Sequence, residues 1–571
     1  MAEEFDLRRL PQDHPREFVP PEIDLGRWEE IEPLFEELEG RGLDSPSVLE
    51  RWLLDWSELE AALDEEGTIR YIRMTCQTDD PERERAYLQF IEEIEPKIKP
   101  RYQRLRERYV ASPARGDLPE IYHVLDRSIS NRVALFREEN VPLETEEAKL
   151  AQQYQKVVGA MTVEFQGKEQ TLQQMARYLE EPDRDLRRAA WELSEERRLK
   201  DREELEEIYD ELLALRERIA RNAGFPDYRE YAFRKRERFD YSPEDCFRFH
   251  EAVEREIVPL MRALQRRRRE ELGLETLRPW DLQVDPRNRP PLRPFTEAEE
   301  LVRGCEEIFH RIGEELGRDF RRLRELGLLD LESRKGKAPG AYSAALAEKR
   351  LPFIFANAVG RDDDLRMMLH ESGHAFHSLA AREQPLHHYR HAPAEFAEVA
   401  SMGMELLGGE HLDVFYRGEE AARSKREHLE RIVRLLPWIA TIDAFQHWIY
   451  THPGHSREER KAYWVELRRR FGGIESWEGY EDVLESYWLR QLHLFEIPFY
   501  YIEYGIAQLG ALGIWQRAKA DREGAVGAYR RALGLGGSRP LPELFRAAGL
   551  VFDFSGPTVV GAARALREEL L

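Results

Sequence analysis

Apolar residues recur every three to four positions through much of this chain, with Glu and Arg filling the turns between them, and that period predicts helix. The clearest segments are Trp28–Leu38, Glu82–Arg108, Asp183–Ala223 and Pro243–Leu272. Unbroken apolar runs of strand length are rare. One is Leu351-Pro352-Phe353-Ile354-Phe355-Ala356-Asn357-Ala358-Val359, which follows the turn-rich stretch Lys337–Tyr342. It predicts a strand, either offering its edge to an extended peptide or buried as part of the scaffold. Directly after it, Leu365–Ala381 reads as one helix, and Ala394–Glu405 as a second that is close enough to form a helix hairpin. Asp285–Pro294, rich in Pro and Arg, predicts a loop, and a softer boundary falls near Pro182. The glycines of Gly534–Ser538 lack the Gly-Lys-Ser/Thr ending of a phosphate loop, so they predict the stop of the preceding helix.

The first of the paired helices carries His370-Glu371-Ser372-Gly373-His374-Ala375-Phe376-His377. Histidines at i and i+4 project from one helix face, close enough to chelate one ion. The glutamate between them can reach a water on that ion, which is the arrangement of a zinc hydrolase's two ligands and general base. Catalytic zinc takes three protein ligands and keeps a position open. A carboxylate of the second helix completes the set: Glu398 sits among apolar and small residues, with Glu395 and Glu405 as competitors. Glu405 also suits a supporting role, accepting a hydrogen bond from a ligand histidine. His377 is turned away from His374 by the helical period, so packing or hydrogen bonding is expected of it.

Composition narrows the partners. A formal net charge of -24 argues against nucleic acid and anionic membrane, and the cluster Arg266–Arg269 lies on a helix beside acidic residues. No apolar run approaches a membrane span. Cys76, Cys246 and Cys305 form no CxxC pair, so neither a disulfide framework nor a cysteine metal site is expected. The acidic N-terminus lacks the basic-then-apolar layout of a signal peptide, and a cytoplasmic location is expected.

His370–His377 resembles the His-Glu-x-Gly-His-x-x-His signature of the M3 family of zinc peptidases, the group of thimet oligopeptidase and oligoendopeptidase F. Ala397-Glu398-Val399-Ala400-Ser401 is similar to the stretch that carries the third ligand in the oligoendopeptidase F branch. Further similarity runs through Arg278-Pro279-Trp280-Asp281, Pro352–Asn357 and His493–Tyr504, covering roughly residues 185 to 560. The resemblance implies one Zn2+ ion held by His370, His374 and Glu398, with Glu371 as the base. It also implies His493, Tyr501 and Tyr504 as groups that stabilise the oxyanion. Tyr501 and Tyr504 are three apart on a helix expected after Pro498, and Tyr500, about 100° around it, is expected to pack, with a one-residue shift in register exchanging the roles of Tyr500 and Tyr501.

The fold implied by the resemblance is mostly α: two helical lobes around a deep channel, with a small β-sheet beside the zinc. An N-terminal helical lobe (1–184) precedes the catalytic region (185–571). The function implied is an endopeptidase cutting internal bonds of short unfolded peptides. Two alternatives compete: a helical zinc carboxypeptidase, which needs a cation to grip a C-terminal carboxylate, and a peptide-binding protein without catalysis.

Overall fold

The computed structural model describes residues 10–571, so most of the acidic N-terminal stretch lies outside it. Helix dominates, as the apolar period predicts. Trp28–Gly40 and Pro243–Glu271 end within two residues of expectation. Two long predictions are interrupted. Glu82–Arg108 becomes Pro81–Gln89, a π turn at Phe90–Ile94 and Glu95–Ala111. The π register precedes Pro96, which has no N–H to give the carbonyl of Glu92. Asp183–Ala223 breaks at Asp201 into Arg184–Lys200 and Arg202–Asn222. A one-residue break hardly disturbs the apolar spacing, so the pattern does not reveal it.

The chain forms two compact units, each assembled from three stretches. The first takes the described residues up to Ala134, Leu292–Lys425 and Ala507–Phe552. The second takes Leu135–Pro291, Arg426–Ile506 and Asp553–Leu571.

In the first unit, Leu351–Ala358 is the centre of a three-stranded sheet. It runs parallel to Leu329–Glu332 on one side and antiparallel to Tyr342–Leu346 on the other. Its first six residues are buried, the signature of a strand covered on both faces. This decides between the two readings of that run: both its edges are taken, and an edge is left to Tyr342–Leu346. Asn357 fixes the approach to that edge strand, its amide donating to the carbonyls of Ala338 and Gly340 at 2.8 and 3.0 Å. The N-terminal helices enclose a core around Phe35, Trp52 and Leu105, which Tyr389 joins by donating its hydroxyl to the Ile121 carbonyl at 2.5 Å.

The second unit holds a hairpin absent from the sequence reading, Thr162–Phe165 with Lys168–Thr171. Its turn residues Gln166 and Gly167 both take positive φ, the geometry a two-residue hairpin favours. Asp281, fully buried, pairs with Arg184 and Arg187 at 2.8 and 3.0 Å, which gives the Arg-Pro-Trp-Asp segment a scaffolding role. The helix Arg522–Leu533 stops at Gly534, as expected. Among the described residues, no helix is long and apolar enough to cross a membrane.

Candidate metal centre

The central strand leads into the helix Asp362–Ala381, whose first turn holds three aspartates at the positive end of the helix dipole. Asp364 accepts from the backbone N–H of Val359 and Arg361, and Asp362 accepts from Tyr416 and Ser424 at 2.6 and 2.5 Å. The helix start is therefore fixed before the motif begins. The second helix, Ala394–Gly408, lies against it. At Gly373, a Cβ would stand 2.5 Å from both the Ala400 carbonyl oxygen and the Ser401 Cα. Only glycine permits this approach, which brings the His370/His374 face of one helix to Glu398 on the other.

His370 Nε2 and His374 Nε2 lie 3.6 and 3.8 Å from Glu398 Oε2. Donors bound tetrahedrally at zinc–nitrogen and zinc–oxygen lengths stand about 3.3 Å apart, so small side-chain adjustments accommodate one ion. The histidine side chains keep 27% and 25% of their exposure, which suits a site with a position open to solvent. Of the two competing carboxylates, Glu405 takes the supporting position, accepting from His370 Nδ1 at 2.7 Å. That contact leaves Nε2 as the lone-pair nitrogen facing Glu398. Ser401 donates to Glu398 Oε2 at 2.9 Å and holds its carboxylate.

The electrostatics call for a cation. Burial opposes charge on His370, yet the Glu405 hydrogen bond and the carboxylates of Glu398 and Glu371 outweigh it and push its pKa up to about 9. In His374 burial dominates, helped by the His370 charge, and the pKa falls to about 3. Burial lifts the Glu371 carboxyl to about 7, against the pull of His370; the Ser343 backbone N–H of the edge strand also bonds it. A divalent ion satisfies the converging carboxylates better than a single ring proton can. His370, His374 and Glu398 thus fit a metal by donor type, spacing and charge.

His377 stays out of this cluster. It is buried against Phe396 with no hydrogen-bond partner for Nε2, and burial lowers its pKa to about 4. His387 and His391 come together with Asp64 instead.

His493, Tyr501 and Tyr504 belong to the second unit and gather there. His493 lies on the short helix Leu492–Glu496, its ring centroid 4.8 Å from that of Tyr501 and 6.0 Å from that of Tyr504. Gln491 bonds His493 Nδ1 at 2.9 Å. The helix expected after Pro498 starts only at Tyr501, because Phe499 takes a left-handed φ of 64°. Arg238, donating to the Phe499 carbonyl, and Gln446, accepting its N–H at 2.5 Å, hold that kink. Tyr500 consequently precedes the helix and stacks with His493 at 5.9 Å while Arg236 lies over its ring at 5.2 Å. The expected 100° offset on one helix does not describe it.

Sequence reasoning missed several supporting groups. Ser401 and Gly373 lie inside the quoted motifs and were open to recognition. Tyr529, whose hydroxyl bonds the Ala400 carbonyl at 2.7 Å, and Ser343 come from distant segments and gave no local signal.

The family profile described as Peptidase family M3 matches residues 177–559, and that of the Peptidase M3 N-terminal domain matches residues 22–130. The chain belongs to peptidase family M3. It is similar to the oligoendopeptidase F homolog of Borreliella burgdorferi, 28% identical over 258 residues, which is 42% of each chain. It is also similar to oligopeptidase PepF of Bacillus subtilis, 27% identical over 265 residues, 45% of this chain and 39% of the other. The matched stretches thus span about two fifths of those curated relatives. Likeness in structure extends further. PZ peptidase A, solved with an inhibitor, superposes with a TM-score of 0.86 at 28% identity, over 97% of this chain and 99% of that one. Oligoendopeptidase-F from Enterococcus faecium shares the fold, with a TM-score of 0.64 at 15% identity over 95% of each chain.

Proposed function

We propose that this protein is a zinc-dependent oligopeptidase of the oligoendopeptidase F type, cutting internal bonds of short unfolded peptides in the cytoplasm. The observation that carries this reading is the convergence of His370, His374 and Glu398 from two helices that Gly373 lets approach, with the Glu371 carboxyl beside them and in electrostatic reach of His370 and Glu398. Zinc held there supplies Lewis acidity to the scissile carbonyl and to the attacking water. Glu371, next to His370 on the same helix, takes the proton of that water and delivers it to the departing amine nitrogen. Glu405 and Ser401 keep the ligand side chains aimed. His493, Tyr501 and Tyr504 are assigned to the oxyanion by family resemblance, and their gathering into one cluster supports treating them together.

End-blocked peptides of graded length, with products read by mass spectrometry, test the proposal. Internal cleavage abolished by a chelator and restored by Zn2+ is expected. Release of single residues from a free C-terminus, with blocked peptides left intact, would instead indicate a carboxypeptidase. Binding without products would indicate a non-catalytic peptide binder.

A further inference from the structure

The second unit repeats the motif's arithmetic in its interior. The helix Pro243–Glu271 carries Cys246 and His250 one turn apart, and the helix Glu419–Thr451 carries Asp443 and His447 one turn apart. Pairs at i and i+4 on two facing helices converge on one point, as in bundle-core metal sites. The ligand atoms of Cys246, Asp443 and His447 all lie within 4.8 Å of one another. His447 Nε2 is 3.3 Å from Asp443 Oδ2, and His250 Nε2 is 2.8 Å from the same oxygen. Cys246 and Asp443 have no solvent exposure, His447 has 3% and His250 5%.

A hydrogen-bonded network alone leaves this cluster poorly satisfied. His447 Nδ1 and Asp443 Oδ1 have no hydrogen-bond partner, and His447 Nε2 meets only the poorly aligned Asp443 Oδ2. Aromatic rings cover much of the cluster, Phe247 and Phe499 facing the His447 ring at 4.9 and 5.3 Å, and the charges of Arg229 and Arg238 reach it from outside. Unpaired polar atoms in an apolar enclosure are uncommon and point to a missing partner. A divalent cation fits the charge. One thiolate and one carboxylate neutralise it, two neutral imidazoles complete four donors, and the buried assembly carries no net charge. Sulfur, nitrogen and oxygen donors in a set of four favour zinc among the common divalent ions. Tetrahedral donors stand about 3.3 Å apart, so the His250–Asp443 contact has to open by about half an ångström, while the wider separations, up to 4.8 Å among Cys246, Asp443 and His447, have to close.

We propose that Cys246, His250, Asp443 and His447 bind a second metal ion, a structural Zn2+ that pins these two helices together. All four positions are filled by protein, so this ion has no place for substrate. Binding displaces the Cys246 thiol proton to solvent, and burial makes exchange slow once the protein has folded. The absence of a CxxC pair does not exclude a cysteine site when the ligands come as one-turn pairs on two helices.

Metal content of the full-length protein purified without chelator tests this independently of the peptidase reading. Two equivalents of zinc are expected in the unaltered chain, one in Glu398→Ala, one in Cys246→Ala and none in the double variant. Protein loaded with Co2+ should show a thiolate-to-cobalt charge-transfer band in the near ultraviolet, kept in Glu398→Ala. The first site contains no sulfur and cannot produce that band, so the spectrum of the unaltered chain decides the matter even if Cys246→Ala fails to fold. A single equivalent of zinc that vanishes in Glu398→Ala, with no thiolate band, overturns the proposal. Failure of the peptidase reading would instead remove only the Glu398-dependent ion.

Discussion

The candidate metal centre of the first unit and the His493 cluster of the second both use side chains about one helical turn apart, but they are held by different forces. Around the metal ligands the fixing contacts are short and directional: Glu405 on His370, Ser401 on Glu398, Tyr529 on the carbonyl of Ala400, with backbone against backbone at Gly373. Around His493 the neighbours are mostly rings, Tyr501 and Tyr504 meeting edge to face at 5.6 Å. Below them, buried Glu503 binds Arg236 and Arg238 at 3.1 and 2.9 Å and secures the start of their helix. A directional frame fails when one member is removed. Ring packing redistributes, so its members should share their work.

The sharpest test of that contrast is at Glu371. Exchanging its carboxylate for an amide preserves the shape while removing the proton acceptor, so Glu371→Gln should lower kcat by about a thousandfold with zinc content unchanged. His370→Ala, His374→Ala and Glu398→Ala should instead lose the metal itself. An active Glu371→Gln would show that the frame positions something other than the base.

The second cluster should respond less steeply. If Tyr501 or Tyr504 donates to the oxyanion, each Phe variant should lose about 2.7–4 kcal/mol of transition-state stabilisation, mainly in kcat. The double variant should lose less than the sum of the two, as expected for neighbours that share a task. Full additivity would break the comparison, and near-normal turnover with a lowered Tm would reduce both tyrosines to core residues.

Smaller still are the effects of adding one methyl group. In Gly373→Ala the new Cβ meets backbone atoms at 2.5 Å, and neither helix can yield without moving His370, His374 or Glu398. A cost of about 1–3 kcal/mol in stability, with weakened zinc binding, is expected from calorimetry and metal titration. Gly505→Ala, on the tyrosine helix, meets only the Phe249 ring at 2.9 Å and an Ile439 methyl at 3.2 Å. Both side chains are fully buried and give little, but no backbone atom is struck and alanine's helix preference returns about 1 kcal/mol, so this variant should cost less than Gly373→Ala.

The same contrast governs what could be read from the chain. The two helices, and the shared face of His370 and His374, were legible because helical spacing places them by local geometry, while the choice of Glu398, now found beside them, came from the family resemblance. Position around Tyr500 was not, because the left-handed turn at Phe499 is imposed by Arg238 and Gln446 from elsewhere in the sequence. Two strands of the small sheet also escaped notice. Leu329–Glu332 and Tyr342–Leu346 are short and only partly apolar, and they exist because Leu351–Ala358 gives each of them a ladder to join. The interleaving of three stretches into each unit is likewise carried by long-range contacts rather than by composition.

The weakest predicted effect, and the most local, concerns the charge of His493. Burial lowers its pKa below the ordinary 6.5, and the positive charge of Arg236 lowers it further. The folded chain therefore binds this proton less readily than the unfolded chain does. Stability from this group is complete above 6.5 and declines as pH falls from there through the folded-state pKa, since in that window the unfolded state holds more protons. The imidazole accordingly stays neutral through the neutral range. NMR titration of the His493 ring should give a midpoint below 6.5, moving upward in Arg236→Gln because the repelling charge is gone while most of the burial remains. A midpoint above 6.5, or one indifferent to Arg236, would mean that the ring is more solvated than its neighbours Gln491, Tyr500 and Tyr501 allow.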